Sequence, residues 1–221
     1  MDAPLDAELD RLAVLAEPVR RSLYLYVAAQ RHDVSRSEAA TAVGVSRSLA
    51  AFHLDRLAEE GLLEVAHRRL GERTGPGAGR PSKLYRRAAT THAVSLPPRR
   101  YELAARLLAE VVEEVGADLA AQAASARLGR ELGQEAAGRG DGVTGALAAC
   151  GFEPYAAEDG IRARNCPFHE LAGERPALVC GLGGALVEGV LDGLGEQGYE
   201  VGLDPLPGEC CVVLRSKTNQ D

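Results

Sequence analysis

The stretch Ser37-Glu-Ala-Ala-Thr-Ala-Val43-Gly44-Val45-Ser46, continued by Arg47-Ser-Leu-Ala-Ala-Phe-His-Leu-Asp-Arg-Leu57, decides the fold of the N-terminal part of this chain. Residues 37–43 form a short, mostly apolar run typical of a helix, and Gly44 supplies the left-handed residue that a tight turn prefers. Ser46 can cap a second helix, which we expect to continue to about Glu60 and to end at Gly61. The sequence therefore predicts a helix-turn-helix.

The second helix has two contrasting faces on a 3.6-residue wheel. One face is expected to pack on the preceding helices and comprises Leu49, Ala50, His53, Leu54, Leu57 and Ala58. The opposite face comprises Arg47, Ser48, Ala51, Phe52 and Asp55. Small and hydrogen-bonding side chains near a helix N-terminus are what a recognition helix presents to base edges in the major groove.

A basic hairpin is predicted directly after this helix. Residues 62–68 and 83–87 alternate as strands, and a Gly- and Pro-rich tip over 71–79 joins them. Arg80 stands between Gly79 and Pro81, and an Arg held extended by a following Pro can enter a narrow minor groove. With upstream helices over 5–15 and 18–30, the order of elements predicts a winged helix-turn-helix. The alternative is a surface hairpin whose charges serve solubility.

The charge distribution agrees with binding to double-stranded DNA. The whole chain has a net charge of -7, but residues 19–100 hold 15 Arg and Lys against 7 Asp and Glu. Residues 101–221 hold 9 against 20, so the two halves differ in sign. A basic face supplies the phosphate contacts that dominate affinity for DNA. The expected DNA contacts are Arg36, Ser46, Arg47, Ser48, Ala51, Phe52, Arg56, Arg80 and Lys83.

The chain is expected to fold into three parts, mainly α with α+β portions. We predict a DNA-binding domain over 1–95, a helical dimerisation linker over 96–140 and an α+β module over 141–221. The linker helix should run from about Arg100 to Ala137, with a kink or break at Gly116 or Gly129. Its narrow apolar stripe suits a partner helix in a homodimer. The alternative is a helix that folds back on its own chain. The stripe contains Tyr101, Ala104, Leu108, Val111, Val115, Asp118 or Leu119, and Gln122 or Ala123.

The C-terminal module should combine two helices with two hairpins. The helices are expected over 143–150 and 176–194. One hairpin joins strands 153–158 and 161–165 around Asp159-Gly160, which is a strong turn signal. The other joins strands 199–203 and 210–215.

The cysteines of this module are the candidate metal ligands. Cys166 should end a strand, Cys180 should lie near the start of a helix, and Cys210-Cys211 should open the last strand, with Cys210 pointing inward. Soft thiolates that converge in a reducing compartment favour an iron-sulfur cluster or, less well, zinc, since no CxxC pair is present. Cys211 or His169 would provide the fourth ligand. The alternative is that the cysteines are small apolar core residues, above all Cys150.

The chain resembles ArsR-like winged-helix regulators of the SufR-like type. The resemblance rests on the quoted helix, Gly79-Arg-Pro-Ser-Lys-Leu-Tyr-Arg86, Asn165-Cys-Pro-Phe-His169, Leu178-Val-Cys180 and Pro207-Gly-Glu-Cys-Cys211. It implies a dimeric repressor with a cysteine-ligated iron-sulfur cluster, [4Fe-4S] or [2Fe-2S], held by Cys166, Cys180 and Cys210. The familiar Cys-x-Cys metal site near the recognition domain is absent, because no cysteine precedes position 150.

These features predict a cytoplasmic transcriptional regulator in which the cluster controls operator affinity. The alternative is a regulator that senses a small organic effector or zinc, with structural cysteines. We expect no membrane association, because the N-terminus lacks a signal peptide and no apolar run reaches about 18 residues. No Walker loop, Rossmann fingerprint, HExxH or GxSxG motif occurs, so no enzymatic activity is expected.

Overall fold

The chain divides into two compact units, Met1–Arg99 and Arg100–Asp221. A computed structural model describes residues 3–68, 82–97 and 99–217. Both units mix helices and antiparallel strands, which confirms the predicted α and α+β composition.

The N-terminal unit has four helices and a three-stranded antiparallel sheet in its described part, and the sheet order is β1-β3-β2. Its elements are α1 (Ala3–Ala13), a 3-10 turn (Val14–Ala16), α2 (Pro18–Ala28), β1 (Val34–Ser35), α3 (Arg36–Val43), α4 (Arg47–Glu59), β2 (Leu63–Arg68) and β3 (Ser82–Arg87). The helices and the hairpin strands agree with the prediction within a few residues. The two-residue strand β1 was not predicted, because so short a strand has no detectable alternation.

Local sequence explains where α3 and α4 begin and end. Ser35 and Glu38 form a capping box at the start of α3, in which each side chain bonds the backbone of the other residue. Gly44 ends α3 in the left-handed conformation, with φ of 74°. Ser46 then caps α4. Apolar side chains from α2, α4 and the sheet fill the core of this unit. They include Leu23, Val27, Val34, Leu54, Leu57 and Tyr85.

The C-terminal unit contains five helices and a four-stranded antiparallel sheet in its described part, with strand order β4-β5-β7-β6. Its elements are α5 (Tyr101–Glu114), α6 (Asp118–Arg139), α7 (Val143–Ala149), β4 (Pro154–Ala157), β5 (Gly160–Ala163), α8 (His169–Glu174), α9 (Pro176–Leu194), β6 (Tyr199–Leu203) and β7 (Val212–Ser216). Helix α8 was not predicted, and the last strand begins at Val212, after the adjacent cysteines.

The predicted linker helix is two helices, α5 and α6. They separate at Gly116, whose φ is 62°, so the expected break falls at one of its two candidate positions. The other candidate position, Gly129, does not interrupt α6 and faces α9. A Cβ atom on Gly129 would lie 2.1 Å from the carbonyl oxygen of Leu186. Gly133, Gly189 and Gly193 face equally close backbone atoms, so α6 and α9 pack backbone to backbone.

Helix α6 therefore packs on its own chain, as in the alternative to a dimer helix. The apolar stripe of α5 is not covered in this way by the described residues. Ser125 Oγ donates a hydrogen bond of 2.8 Å to the carbonyl oxygen of Leu182 across the α6–α9 contact. In contrast, large apolar side chains along α5 and the start of α6 are exposed. They are Tyr101, Leu103, Leu107, Leu108, Val111, Val115 and Leu119.

Helix α9 is the centre of the C-terminal core. Its apolar side chains pack against the sheet and α7, in a cluster that includes Leu147, Phe152, Ile161, Val187, Leu191, Val212 and Leu214. By length and composition alone, this helix could cross a membrane, although Glu188 and Asp192 interrupt its apolar sequence. Half of the apolar window is buried inside the unit, as in the core helix of a soluble protein.

Candidate nucleic-acid interface and cysteine site

The N-terminal turn of α4 presents hydroxyl groups and a cation to solvent. Ser46 Oγ accepts a hydrogen bond from the backbone N–H of Leu49 at 3.2 Å and lies 3.1 Å from Ser48 Oγ. Arg47 and Ser48 are exposed. Among the described residues, the Arg47 side chain has no hydrogen-bond or ion-pair partner. These groups are available to a ligand on this face.

The buried and exposed faces of α4 follow the predicted wheel with one exception. Ala50, His53, Leu54 and Leu57 are buried, whereas Leu49, expected on the packed face, is 39% exposed. His53 packs edge-to-face on the Phe52 ring at 5.2 Å between centroids. Arg20 Nε donates to His53 Nδ1 at 3.3 Å, which connects α4 to α2.

Asp55 joins α4 to the hairpin through two side chains of β3. Its carboxylate accepts a hydrogen bond from the Tyr85 hydroxyl at 2.7 Å and forms an ion pair with the Lys83 ammonium. Burial raises the pKa of Asp55, but the hydrogen bonds from Lys83 and Tyr85 outweigh it and lower that pKa overall. The predicted DNA contact Lys83 therefore neutralises an acidic side chain of α4.

The other predicted cationic contacts have different surroundings. Arg56 forms ion pairs with Glu59 and Glu60 on its own helix. Arg36 is half-buried and interacts electrostatically with Asp55. Arg80, together with the tip over 71–79, lies outside the described residues. Of the predicted cations that the structure describes, Arg47 is the one that is exposed and has no ion-pair partner among the described residues.

The cysteines that were predicted as ligands lie on two loops of the C-terminal unit and on the start of α9. Cys166 sits in the loop after β5, three residues beyond the strand that it was expected to end. Cys180 lies in the second turn of α9, as predicted. Cys210 and Cys211 precede β7. The backbone N–H of Cys210 donates to the carbonyl oxygen of Ala163 at 3.0 Å, which holds this loop against the end of β5.

Electrostatic interactions link the four thiols pairwise: Cys166 with Cys210, Cys210 with Cys211, and Cys211 with Cys180. A hydrogen bond with Cys210 and another from the backbone N–H of Phe168 lower the pKa of Cys166 to about 6, although burial opposes them. The same hydrogen bond and burial raise the pKa of Cys210, which is 2% exposed and points inward as predicted. Burial, followed by the contact with Cys180, raises the pKa of Cys211 to about 12.

Two further residues of the Asn165-Cys-Pro-Phe-His169 segment take part in the site. The Asn165 side chain accepts from the backbone N–H of Glu153 at 2.6 Å and donates to the carbonyl oxygen of Gly151 at 2.8 Å. It thereby fixes the loop that carries Cys166. This role was not predicted, because both partners lie more than ten residues away in sequence. His169 is exposed and adds a weak electrostatic effect that favours the Cys166 thiolate.

The thiol contacts do not form a single-ion site. Within the described ranges, no group of three or more His, Cys, Asp or Glu side chains is placed so that it could hold a metal ion. All five cysteines are free thiols. Cys150 is half-buried among apolar side chains, and burial alone raises its pKa. It therefore behaves as the core residue that was expected.

A small cavity lies between the sheet and α9, next to Arg162. Its walls are apolar and include Leu147, Phe152, Ile161, Val187, Val212 and Leu214. Its interior is no larger than about one water molecule. This cavity is too small for an organic effector.

No protein-family model, curated protein or solved structure matches the chain.

Proposed function

We propose that the chain is a cytoplasmic, DNA-binding transcriptional regulator with a winged helix-turn-helix, and that it acts as a homodimeric repressor. The observation that carries this proposal is the exposed face at the start of α4. There Arg47, which has no ion-pair partner among the described residues, lies beside the Ser46 and Ser48 hydroxyls, in a unit rich in cations. The order of α3, tight turn, α4 and a basic hairpin supports it, because DNA-binding helices of this type present their first turns to base edges.

Binding of duplex DNA at several salt concentrations tests this proposal. We expect the logarithm of the binding constant to fall linearly with the logarithm of salt concentration for promoter fragments. Arg47→Ala should weaken binding by about ten-fold. Arg21→Ala, which removes an exposed cation from α2, is the matched control and should change affinity little. Duplex binding that is absent, or equal in both variants, would contradict the proposal.

We further propose that the C-terminal cysteines bind an iron-sulfur cluster, with zinc as the weaker candidate. Pairwise electrostatic interactions link four thiols of this unit, and backbone N–H groups of Phe168 and Val212 donate to Cys166 and Cys210. Thiolate ligands with N–H···S hydrogen bonds are typical of iron-sulfur sites. Cys166, Cys180 and Cys210 would hold the cluster, with Cys211 or His169 as fourth ligand. A bound cluster supplies a redox-sensitive centre.

The structure of the C-terminal unit offers a route from this site to the dimer helices. Cys180 lies on α9, which packs backbone to backbone on α6, and α6 follows α5 after Gly116. A change in the separation of Cys180 from the loop thiols would therefore shift α9 against α6. We propose that this shift alters how two copies present their recognition helices to adjacent half-sites, as a change in populations.

Anaerobic purification with iron and acid-labile sulfide analysis tests the cluster. We expect visible absorbance, iron and sulfide in the wild-type protein. Cys166→Ser should lose most of all three, whereas Cys150→Ser should retain them, since Cys150 has no thiol contact among the described cysteines. Wild-type protein without iron and sulfide would contradict the cluster. Protein that contained zinc but no iron or sulfide would support the zinc site instead of the cluster.

A further inference from the structure

Phe52 is an unusual residue at the centre of the exposed face of α4. Phe52 is 64% exposed, and it is one of only three Phe residues in the chain. On the helical wheel, Ser48, Phe52 and Asp55 point directly away from the buried residues Ala50, His53 and Leu57. Helical side chains lean toward the N-terminus, so the Phe52 ring covers the surface near Ser48. The ring therefore lies where this face would meet a groove.

The surroundings of Phe52 limit what the ring can contact. The edge-to-face contact with buried His53 holds the ring on one side. Half-buried Ala51 adds a methyl group beside it, and Asp55 one turn later is occupied by Lys83 and Tyr85. Thus the outward surface presents the Phe52 ring beside the Ser48 hydroxyl, with Ala51 and Arg47 on the flank of the helix.

This combination matches a particular pattern of base edges. In the major groove, only thymine presents a methyl group, and Ala and Phe side chains are suited to contact it. Arg pairs best with the two acceptors of guanine. An exposed aromatic ring next to an alanine has no hydrogen-bonding use on a polar face, but it can bury a methyl group.

Resting on the proposed function, we infer that Phe52 and Ala51 read the 5-methyl group of a thymine, while Arg47 contacts the same half-site nearer the helix N-terminus. The apolar patch then contributes sequence specificity, and the hairpin and other cations contribute mainly phosphate contacts. The ligand of this face is a duplex whose half-site has a thymine at the position that Phe52 faces.

The test uses the full-length protein and duplexes enriched from a random-sequence pool. Each thymine of the enriched site is replaced in turn by deoxyuridine, which lacks only the methyl group. We expect a loss of about four-fold in wild-type affinity at one thymine per half-site, the effect of one buried carbon. Phe52→Ala should lose most of this difference between the thymine and deoxyuridine duplexes. Leu25→Ala removes an equally exposed apolar side chain from α2 and should keep the wild-type difference.

The outcomes separate this inference from the proposed function. Binding that is salt-sensitive and selective, but indifferent to every deoxyuridine, would overturn the thymine contact and leave the proposed function standing. The same holds if Phe52→Ala retains the full difference, or if the enriched site has no thymine. Failure of the wild-type protein to bind or enrich any duplex would overturn both. Because Phe52 is exposed, its substitution should leave the circular dichroism spectrum and thermal unfolding unchanged.

Discussion

Asp55 shows how one side chain can connect a helix to a hairpin. Its carboxylate is the acceptor for the Tyr85 hydroxyl, and Tyr85 is 1% exposed. Asp55→Ala leaves that buried hydroxyl without its acceptor, so we expect the free energy of unfolding to fall by about 1–3 kcal/mol. Chemical denaturation measures this loss. Tyr85→Phe in the same background should recover part of it, because no buried hydroxyl then remains.

Glu59→Gln is the matched control for this prediction, since it removes an exposed carboxylate from the same helix. Its ion pair with Arg56 is solvent-exposed, so the change should stay below about 0.5 kcal/mol. Equal losses for Asp55→Ala and Glu59→Gln would contradict the role of Asp55.

The lowered pKa of Asp55 also gives its contribution a pH dependence. A carboxyl with a lower pKa when folded stabilises the protein above its unfolded pKa of about 4. The contribution disappears as the pH falls through the folded-state pKa. The stability difference between wild type and Asp55→Asn should therefore shrink on acidification from pH 6 to pH 3. A difference that grew over this range would show that the carboxylate is not stabilised by folding.

The cysteine residues show what alternation in a sequence can and cannot predict. Cys210 was expected to point inward because it shares a strand face with Val212 and Leu214, and it is buried. The contact between Cys210 and Cys166 depends on how two loops meet at the end of the sheet. The local sequence pattern does not indicate which loops lie close together in the fold. The pairing of the four thiols could therefore not be predicted.

At the scale of elements, the contact between α6 and α9 depends on glycines that leave no room for a side chain. Gly129→Ala would place a methyl carbon 2.1 Å from the Leu186 carbonyl oxygen. Although alanine favours helix formation, we expect the free energy of unfolding to fall by about 2–3 kcal/mol, because the helices must move apart. Thermal or urea unfolding of the full chain, followed by circular dichroism, measures this change.

Gly138 provides the control on the same helix. A Cβ atom there would have no atom of the described residues within 4 Å. Gly138→Ala should therefore stabilise the protein by about 0.5–1 kcal/mol through helix propensity alone. If both substitutions stabilised the protein, the close packing of α6 on α9 would be wrong.

The same glycines explain which parts of the fold could be predicted. The long helices and both hairpins of the C-terminal unit follow from local periodicity and turn residues, and α9 has the predicted bounds of 176–194. Gly129 was one of two candidate positions for a kink or break, since an isolated glycine lowers helix propensity. Its actual role depends on Leu186 and Gly189, about sixty residues later, and no local pattern connects them.

At the scale of the whole molecule, the uncovered side of α5 bears on how the chain assembles. Leu108 and Val111 lie on the predicted stripe and are exposed in the single chain. Ion pairs of α5 with Glu174 and Arg175, made by Arg106 and Glu113, occupy a different part of the helix surface. A contiguous exposed apolar stripe is typical of a protein interface. A second copy of α5 is the partner that a homodimeric regulator provides.

Leu108→Glu tests that assembly, because a two-fold interface receives the new charge twice. Leu108 is 67% exposed in the single chain, so the fold should be unaffected. Burying two carboxylates should raise the dimer dissociation constant by at least about ten-fold, measured by sedimentation equilibrium. Leu25→Glu adds the same charge to an exposed site in the N-terminal unit and should leave the dimer intact.

Operator affinity should fall with Leu108→Glu at protein concentrations where the variant is monomeric, since two half-sites then bind independently. A variant that remained fully dimeric would place the interface elsewhere, and a monomeric wild type would exclude the dimer itself.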